Sequence, residues 1–235
     1  MQQLFDGILQ GLRLLFTGDT VLWEIILLSG KVSGVALVAS AVLGIPSGAF
    51  LGMVRFRGRR IVQAIVYTGM GLPPVVVGLA VYLLLSRSGI LGPLNWSWIP
   101  QLFTVPAMIV AQVTIATPLV VGYTMAAVSE VNPDLRIQAR SLGATPLQIT
   151  LVVLREARMG IIVALVGGLG SIISEVGAVM MVGGNIDGAT RVLTTAIMLE
   201  TRRGNLGLAI GLGMVLLLLA FLINFGVTQL QGKGN

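Results

Sequence analysis

Long apolar runs separated by short polar segments extend along the whole chain. They predict five membrane-spanning helices, at about residues 23–54, 61–86, 103–128, 161–182 and 206–227. At ~1.5 Å of rise per residue, each run is long enough to cross a hydrocarbon layer of ~30 Å. The pattern therefore predicts an all-α integral membrane protein with a single transmembrane domain over residues 21–230.

Two further stretches are not expected to cross the membrane, because one mixes polar with apolar residues and the other is too short. In residues 1–20, apolar side chains recur at helical spacing opposite polar ones, which is typical of a helix lying on the bilayer surface. The apolar stretch from Val192 to Leu199 is too short to cross, so we expect a re-entrant or interfacial helix there.

The second and fourth spans have unusual backbones. Pro73 and Pro74 interrupt the second span, because each proline removes a donor from the helical ladder and neighbouring groups must satisfy the freed carbonyls. The fourth span is rich in small residues that permit close contact between helices. These are Gly167, Gly168, Gly170 and Gly177.

The longest polar segment of the chain, residues 129–158, contains clear helix signals. Asn132 is expected to cap a helix that starts at Pro133, with an acidic residue in its first turn. Gly143 offers a left-handed stop, and Thr145 followed by a proline repeats the start signal. The segment therefore predicts two short helices joined by a glycine turn.

The first of these helices has two faces. Leu135, Ala139 and Leu142 fall on one face, whereas Arg136 and Arg140 share another. The apolar face can bind a partner protein, or it can pack on the chain's own bundle. Periodicity alone leaves both interpretations open.

Composition and charge agree with a membrane protein and predict its orientation. Of the 235 residues, 55% are hydrophobic and 10% are charged, against roughly 25% charged in soluble domains. The net charge of +6 would favour nucleic acid as a partner of a soluble protein, but in membrane proteins basic residues collect in cytoplasmic loops. An outside N-terminus and a cytoplasmic C-terminus place nine basic residues inside and five outside, which favours this orientation. The nine are Arg55, Arg57, Arg59, Arg60, Arg136, Arg140, Arg155, Arg158 and Lys233, and the five are Arg13, Arg87, Arg191, Arg202 and Arg203.

Missing residue types exclude several kinds of chemistry. The chain has no cysteine and no histidine, so it offers no disulfide framework, no thiolate or imidazole metal site and no histidine base. The run Ser29-Gly30-Lys31 resembles the end of an ATP-binding loop, but Ile25 and Val32 stand where that motif needs glycine and Ser or Thr. No nucleophile and base are recognisable as a pair. The sequence therefore predicts neither an enzyme nor a metalloprotein.

One segment of the polar region carries a family resemblance. The run "IQARSLGATPLQITLVVL" resembles the EAA loop of type I ABC importer permeases, with Ile137, Gln138 and Ala139 at the triplet and Gly143 at the glycine. The acid of the triplet is absent, and so is the Leu-Pro pair usually found further on, where Arg155 stands next to a glutamate.

Other segments resemble one branch of the same family. The runs "GLPPVVVGLAVYLLLSRSG" and "ISEVGAVMMVGGNIDGATRVLTTAI" are similar to oxyanion permeases, which carry molybdate, sulfate or tungstate. With "LREAR" and "AIMLETRRGN" added, the likeness is greatest to tungstate permeases. The resemblance covers nearly the whole chain.

The resemblance implies the assembly in which such a chain works. It implies two copies of this permease, two cytoplasmic ATPase subunits that bind ATP and Mg, and an extracytoplasmic binding protein that delivers the anion. The EAA-like loop would couple the bundle to the ATPase. The implied coupling residues are Pro133, Asp134, Leu135, Arg136, Ile137, Gln138, Ala139, Arg140, Ser141, Leu142 and Gly143.

A second group of residues is a candidate for the pathway or its gate. It consists of Pro73, Pro74, Glu175, Thr190, Arg191, Thr194 and Thr195. Glu175 is the acid in the middle of a span, and we favour a structural role, since a bare carboxylate would repel an anion. Arg191 and the threonines offer donors suited to an oxyanion. Lys31 lies near the outer end of the first span, where it snorkels or pairs with Glu24 or Glu175.

Three alternatives remain open at this point. A molybdate or sulfate permease of the same family would share every feature above. A stand-alone secondary transporter or channel is expected to have intramembrane carboxylates or histidines for ion coupling, of which the chain has one acid and no histidine. A membrane-bound enzyme would need the catalytic residues that are missing.

Overall fold

The computed structural model describes residues 20–94 and 96–232 of the chain. This part is helical, and no strand occurs within it. The interfacial helix expected at residues 1–20 lies outside the described residues apart from Thr20, which begins the first helix.

The described residues form ten α-helices and one short 3-10 turn at Gly92–Leu94. In chain order the helices are α1 Thr20–Met53, α2 Arg59–Met70, α3 Pro74–Leu85, α4 Val105–Glu130, α5 Pro133–Ser141, α6 Pro146–Glu156, α7 Arg158–Ser174, α8 Gly177–Gly183, α9 Leu193–Arg202 and α10 Leu206–Gly232.

Three of these helices, α1, α4 and α10, are each long and apolar enough to cross a membrane. Two further pairs pass the same test together, but α2 and α3 are bent by 101° and α7 and α8 by 59°. The described residues thus contain three spans, or five if each bent pair counts as one. The break expected at Pro73 and Pro74 is confirmed.

The fourth predicted span differs from its prediction, because it is interrupted after Ser174 rather than continuous. No proline causes this break. Glu175 takes an extended backbone conformation, and its carboxylate accepts a hydrogen bond from the amide of Ala178 at 2.7 Å. Thr194 donates its hydroxyl to the carbonyl of Glu175 at 3.0 Å. Side chains therefore replace the missing backbone bonds, as a break at membrane depth requires.

The central pair of the bundle is α1 with α4, which run parallel. Gly44, Gly48 and Gly52 of α1 meet successively later residues of α4, so that the two backbones are in close contact over about two turns. A Cβ atom at Gly48 would lie 2.6 Å from the carbonyl oxygen of Val121, closer than real Cβ atoms approach. This is the small-residue contact expected between membrane helices.

Each bent pair returns antiparallel to α4. Gln63 of α2 lies against Met125, whereas Val81 of α3 clusters with Met108 near the start of α4. The pair α7 and α8 makes a similar return from Gly160, which approaches Ala127, to Gly183, which approaches Met108. Since two parallel helices need a return between them, α2 and α3 together supply it.

The predicted glycine contacts of the fourth span are mostly confirmed. Gly167 and Gly168 approach Tyr123 and Val120, and Gly177 approaches Val75 of α3. Gly170 differs, because open space surrounds the position where its Cβ would lie.

The remaining helices pack at the two ends of the bundle, α9 and the start of α10 at one end and α5 and α6 at the other. A buried cluster that includes Leu22, Leu193 and Leu212 joins α1, α9 and α10. A helix within the short stretch after Val192 is therefore confirmed, as α9. At the end where α1 and α4 finish, Val153 of α6 is buried against them. We call this end, which carries α5 and α6, the loop end.

The glycine contact predicts a difference between two substitutions in the same helix. Gly48→Ala should lower the free energy of unfolding by about 1–3 kcal/mol, because the added methyl overpacks a backbone contact. Gly34→Ala should be neutral or slightly stabilising, since nothing lies within 4 Å of its Cβ position and alanine has the higher helix propensity. Thermal unfolding of the detergent-solubilised protein measures both. Equal stability of the two variants would contradict the described packing of α1 on α4.

Candidate functional site

The loop end is built from two helices whose predicted caps are confirmed. The side-chain oxygen of Asn132 accepts a hydrogen bond from the amide of Asp134 at 2.9 Å, at the start of α5. Gly143 has a φ of +82°, in the left-handed region that favours glycine, and it ends this helix. Thr145 and Gln148 then form a capping box at the start of α6, with hydrogen bonds of 2.8 and 3.4 Å.

The faces of α5 divide between the bundle and the exterior. Leu135 packs against the cluster that contains Val128 and Val153, so this part of the helix rests on its own bundle. Ile137 is 66% exposed and Leu142 is 87% exposed, and both lie away from that contact. Packing on the chain's own bundle is therefore confirmed for Leu135. Binding of a partner by the exposed side chains stays a prediction.

Arg136 faces inward, onto the last turns of α1 and α4. Its Nη1 donates to the carbonyl of Met53 at 3.5 Å and its Nη2 to the carbonyl of Val128 at 3.1 Å. Met53 is the last residue of α1, and Val128 lies in the last turn of α4. A cation is favourable at a helix C-terminus, where the carbonyls lack partners. Arg136 thus joins α5 to the ends of both central helices, and Arg140 is the exposed arginine of the helix.

At the opposite end, the three candidate threonines bind their own backbone. Thr190 is 1% exposed, donates to the carbonyl of Gly183 at 2.6 Å and accepts from the amide of Ile186 at 2.9 Å. Thr195 accepts from the amide of Val192 at 3.1 Å. Thr194 holds the break described above. These hydroxyls stabilise the loop and helix ends around them.

Glu175 is buried at 7% exposure, and its carboxylate holds the start of α8. This matches the structural role favoured for it. Pro73 and Pro74 form the other break, where the carbonyl of Pro73 accepts from the amides of Val76 and Val77 at 2.9 and 3.3 Å. Roles of these residues and the threonines in the pathway or its gate stay predictions.

At the end of the bundle opposite the loop end, positively and negatively charged side chains line a cavity. Its volume is ≈ 380 Å³, and its charged lining residues are Glu24, Lys31, Asp187 and Arg191. Arg191 forms an ion pair with Asp187 at 2.8 Å. In the described part of the chain, Lys31 forms no ion pair, so neither Glu24 nor Glu175 pairs with it there. The possible role of Arg191 at a gate stays a prediction.

A second cavity contains residues that the sequence analysis did not select. It has a volume of ≈ 520 Å³ and lies among α1, α4, α7, α9 and α10. Its polar lining residues are Ser29, Lys31, Ser33, Gln112 and Thr194. The hydroxyl of Ser29 accepts from the amide of Leu193 at 2.9 Å. Gln112 is 3% exposed and donates to the carbonyl of Ile172 at 3.4 Å. Gln112 was visible in the sequence as an amide within an apolar span.

Among the described residues, no group of three or more acids, histidines or cysteines could hold a metal ion. The bundle combines two broken return spans, a tightly packed central pair and an exposed helix pair at one end. In the part of the chain that the structure describes, these features are those of an all-α integral membrane protein.

The chain belongs to the family of binding-protein-dependent transport system inner membrane components, whose model matches residues 44–233. This confirms the family resemblance and the prediction that the chain is a permease subunit and not an enzyme.

Two relatives and one solved structure show how far the similarity extends. The chain is 45% identical to a probable anion ABC transporter permease protein of Haloferax volcanii, over 87% of this chain and 88% of the relative. It is 38% identical to the tungstate uptake system permease protein TupB of Peptoclostridium acidaminophilum, over 98% and 99%. A bacterial alginate ABC transporter, solved with a pentasaccharide-bound periplasmic protein, has a chain that aligns with a TM-score of 0.75 at 23% identity, over 92% of this chain and 80% of that one. The predicted fold of a type I importer permease is confirmed.

The inward bonds of Arg136 predict that this residue holds α5 in place. In Arg136→Gln, amide hydrogen exchange across residues 134–141 should become about tenfold faster, because hydrogen bonds from a charged donor contribute about 1.5 kcal/mol or more. Arg140→Gln, an exposed neighbour one turn further on, should leave that exchange unchanged. Mass spectrometry of the solubilised protein measures the exchange, and identical profiles for the two variants would contradict the assigned contact.

Proposed function

We propose that the chain is the permease subunit of an ATP-driven importer for an oxyanion, with tungstate as the substrate. The observation that carries this proposal is the similarity to a tungstate uptake permease, which extends over nearly the whole of both chains. The relation to a probable anion permease supports the wider substrate class. Molybdate and sulfate are the alternative substrates within that class.

The loop end is proposed as the contact with the ATPase. Segment Pro133–Gly143 supplies it, and exposed Ile137 and Leu142 offer the apolar surface, with Leu147 of α6 69% exposed beside them. Arg140 adds an exposed positive charge. Because the triplet has no acid, this contact depends on apolar packing and not on an acidic side chain. ATP and Mg are bound by the ATPase, and two copies of this chain form the membrane part.

The proposed orientation has the N-terminus outside and the loop end in the cytoplasm. It rests on the excess of basic residues in the segments at the loop end. An extracytoplasmic binding protein would then deliver the anion to the opposite end, where Lys31 and Arg191 supply positive charge.

The orientation can be tested directly, because the chain contains no cysteine. A single cysteine at Glu156, which is exposed at the loop end outside the proposed ATPase contact, should react with a membrane-impermeant maleimide only after intact cells are opened. A single cysteine at Ile90, which is 75% exposed at the opposite end, should react in intact cells. The reverse labelling pattern would contradict the proposed orientation.

The function is tested by uptake into membrane vesicles that contain the permease, its ATPase and the binding protein. Tungstate should accumulate only with ATP, and equal competition by molybdate or sulfate would contradict the assignment to tungstate. Leu142→Asp should lower both ATPase co-purification and uptake at least tenfold, because it places a charge in an apolar contact. Ile90→Asp is the matched control and should retain the ATPase. Uptake by this chain alone, without ATP, would overturn the proposal.

A further inference from the structure

Residues 54–60 comprise the connection from α1 to α2 and the first two residues of α2. They contain four arginines, and we call this segment the arginine loop. Arg55, Arg57 and Arg60 are exposed. Arg59 is half-buried, and its Nε donates to the carbonyl of Leu51 at 2.8 Å. One guanidinium therefore fixes the loop to the last turns of α1, and the other three remain accessible.

The arginine loop has no acidic counterpart. Within residues 20–94 and 96–232, the two ion pairs are Arg191 with Asp187 and Arg203 with Glu200, and neither involves this loop. Glu130 ends α4 at the same end of the bundle but forms no ion pair with the four arginines.

Three of the four arginines line a hollow of ≈ 500 Å³. Arg55, Arg59 and Arg60 line it together with Phe56, Gly58, Ile61 and Gln63. Three positive charges thus converge on one concave surface whose other lining residues are apolar or uncharged.

Apolar side chains border this hollow and are themselves exposed. The ring of Phe56 packs on Phe50 of α1 with centroids 5.7 Å apart, which holds the loop against the last turns of that span. Ile61 and Ile65 of α2 are 68% and 65% exposed, and no residue of α2 is buried. Charge and apolar surface therefore meet at the boundary where a membrane-spanning helix ends.

We propose that this hollow binds the phosphate headgroup of an anionic phospholipid, whose acyl chains lie along the exposed apolar side chains of Phe56 and α2. Guanidinium groups pair with phosphate through two parallel hydrogen bonds. Clusters of basic residues directly after a membrane span bind anionic lipid. An acidic protein would satisfy the arginines but leave the adjoining apolar side chains in water. The proposal does not depend on which anion the permease carries.

The test is native mass spectrometry of the intact permease complex, titrated with phosphatidylglycerol or with zwitterionic phosphatidylcholine. The unsubstituted protein should bind phosphatidylglycerol more tightly. In Arg55→Gln/Arg60→Gln, the dissociation constant of the first bound phosphatidylglycerol should rise about fivefold for each arginine, as expected for ~1 kcal/mol per basic residue near an anionic surface. Arg59 is left intact because it holds α1.

The matched control removes two exposed arginines elsewhere at the loop end and outside the proposed ATPase contact, in Arg155→Gln/Arg158→Gln, and should leave lipid affinity unchanged. An equal loss of affinity in this control would show that net charge alone attracts the lipid and would overturn the assigned site. So would displacement of the lipid by inorganic phosphate at equal concentration, because the apolar contacts would then contribute nothing. Loss of ATPase binding by the Arg55/Arg60 variant with unchanged lipid affinity would assign the surface to a protein partner instead.

Discussion

Every backbone amide and carbonyl in the membrane part of a protein needs a partner, because lipid offers none. This requirement governs the two places where the return spans of this chain are broken. At one break, Pro73 removes a donor and its carbonyl binds two later amides. At the other, Glu175 and Thr194 supply side-chain bonds to the backbone. Several buried polar side chains of the bundle therefore form hydrogen bonds to backbone groups. They include residues whose chemistry would also suit an anion.

The second organising feature is close contact between helices through small residues. Gly44, Gly48 and Gly52 bring α1 onto α4, and Gly78 brings α3 onto Ala178 of α8, where an added Cβ would lie 2.5 Å from a backbone atom. The two broken returns therefore touch each other next to their breaks. Side chains at these positions would separate the helices, so glycine at these points determines the distance between them.

Signals between residues close together in the sequence were sufficient to predict part of the fold and part of the candidate site. The caps at Asn132 and Thr145 and the break at Pro73 depend on neighbouring residues, and all of them could be predicted. The break at Glu175 could not, because the Thr194 hydroxyl that binds its carbonyl comes from 19 residues away. The inward position of Arg136 was equally hidden, since one of its acceptors lies 83 residues earlier in the chain.

The three glycines of α1 also have a mechanical consequence. They recur at each turn along one face, so any rotation of α1 about its axis would push a side chain into the backbone of α4. We therefore expect the two helices to behave as one rigid unit, and Arg136 is hydrogen-bonded to the loop end of each of them. A force applied to α5 would then act on both helices together. Relative movement within the bundle is then expected at the borders of this unit, where the broken return spans lack a continuous helical ladder.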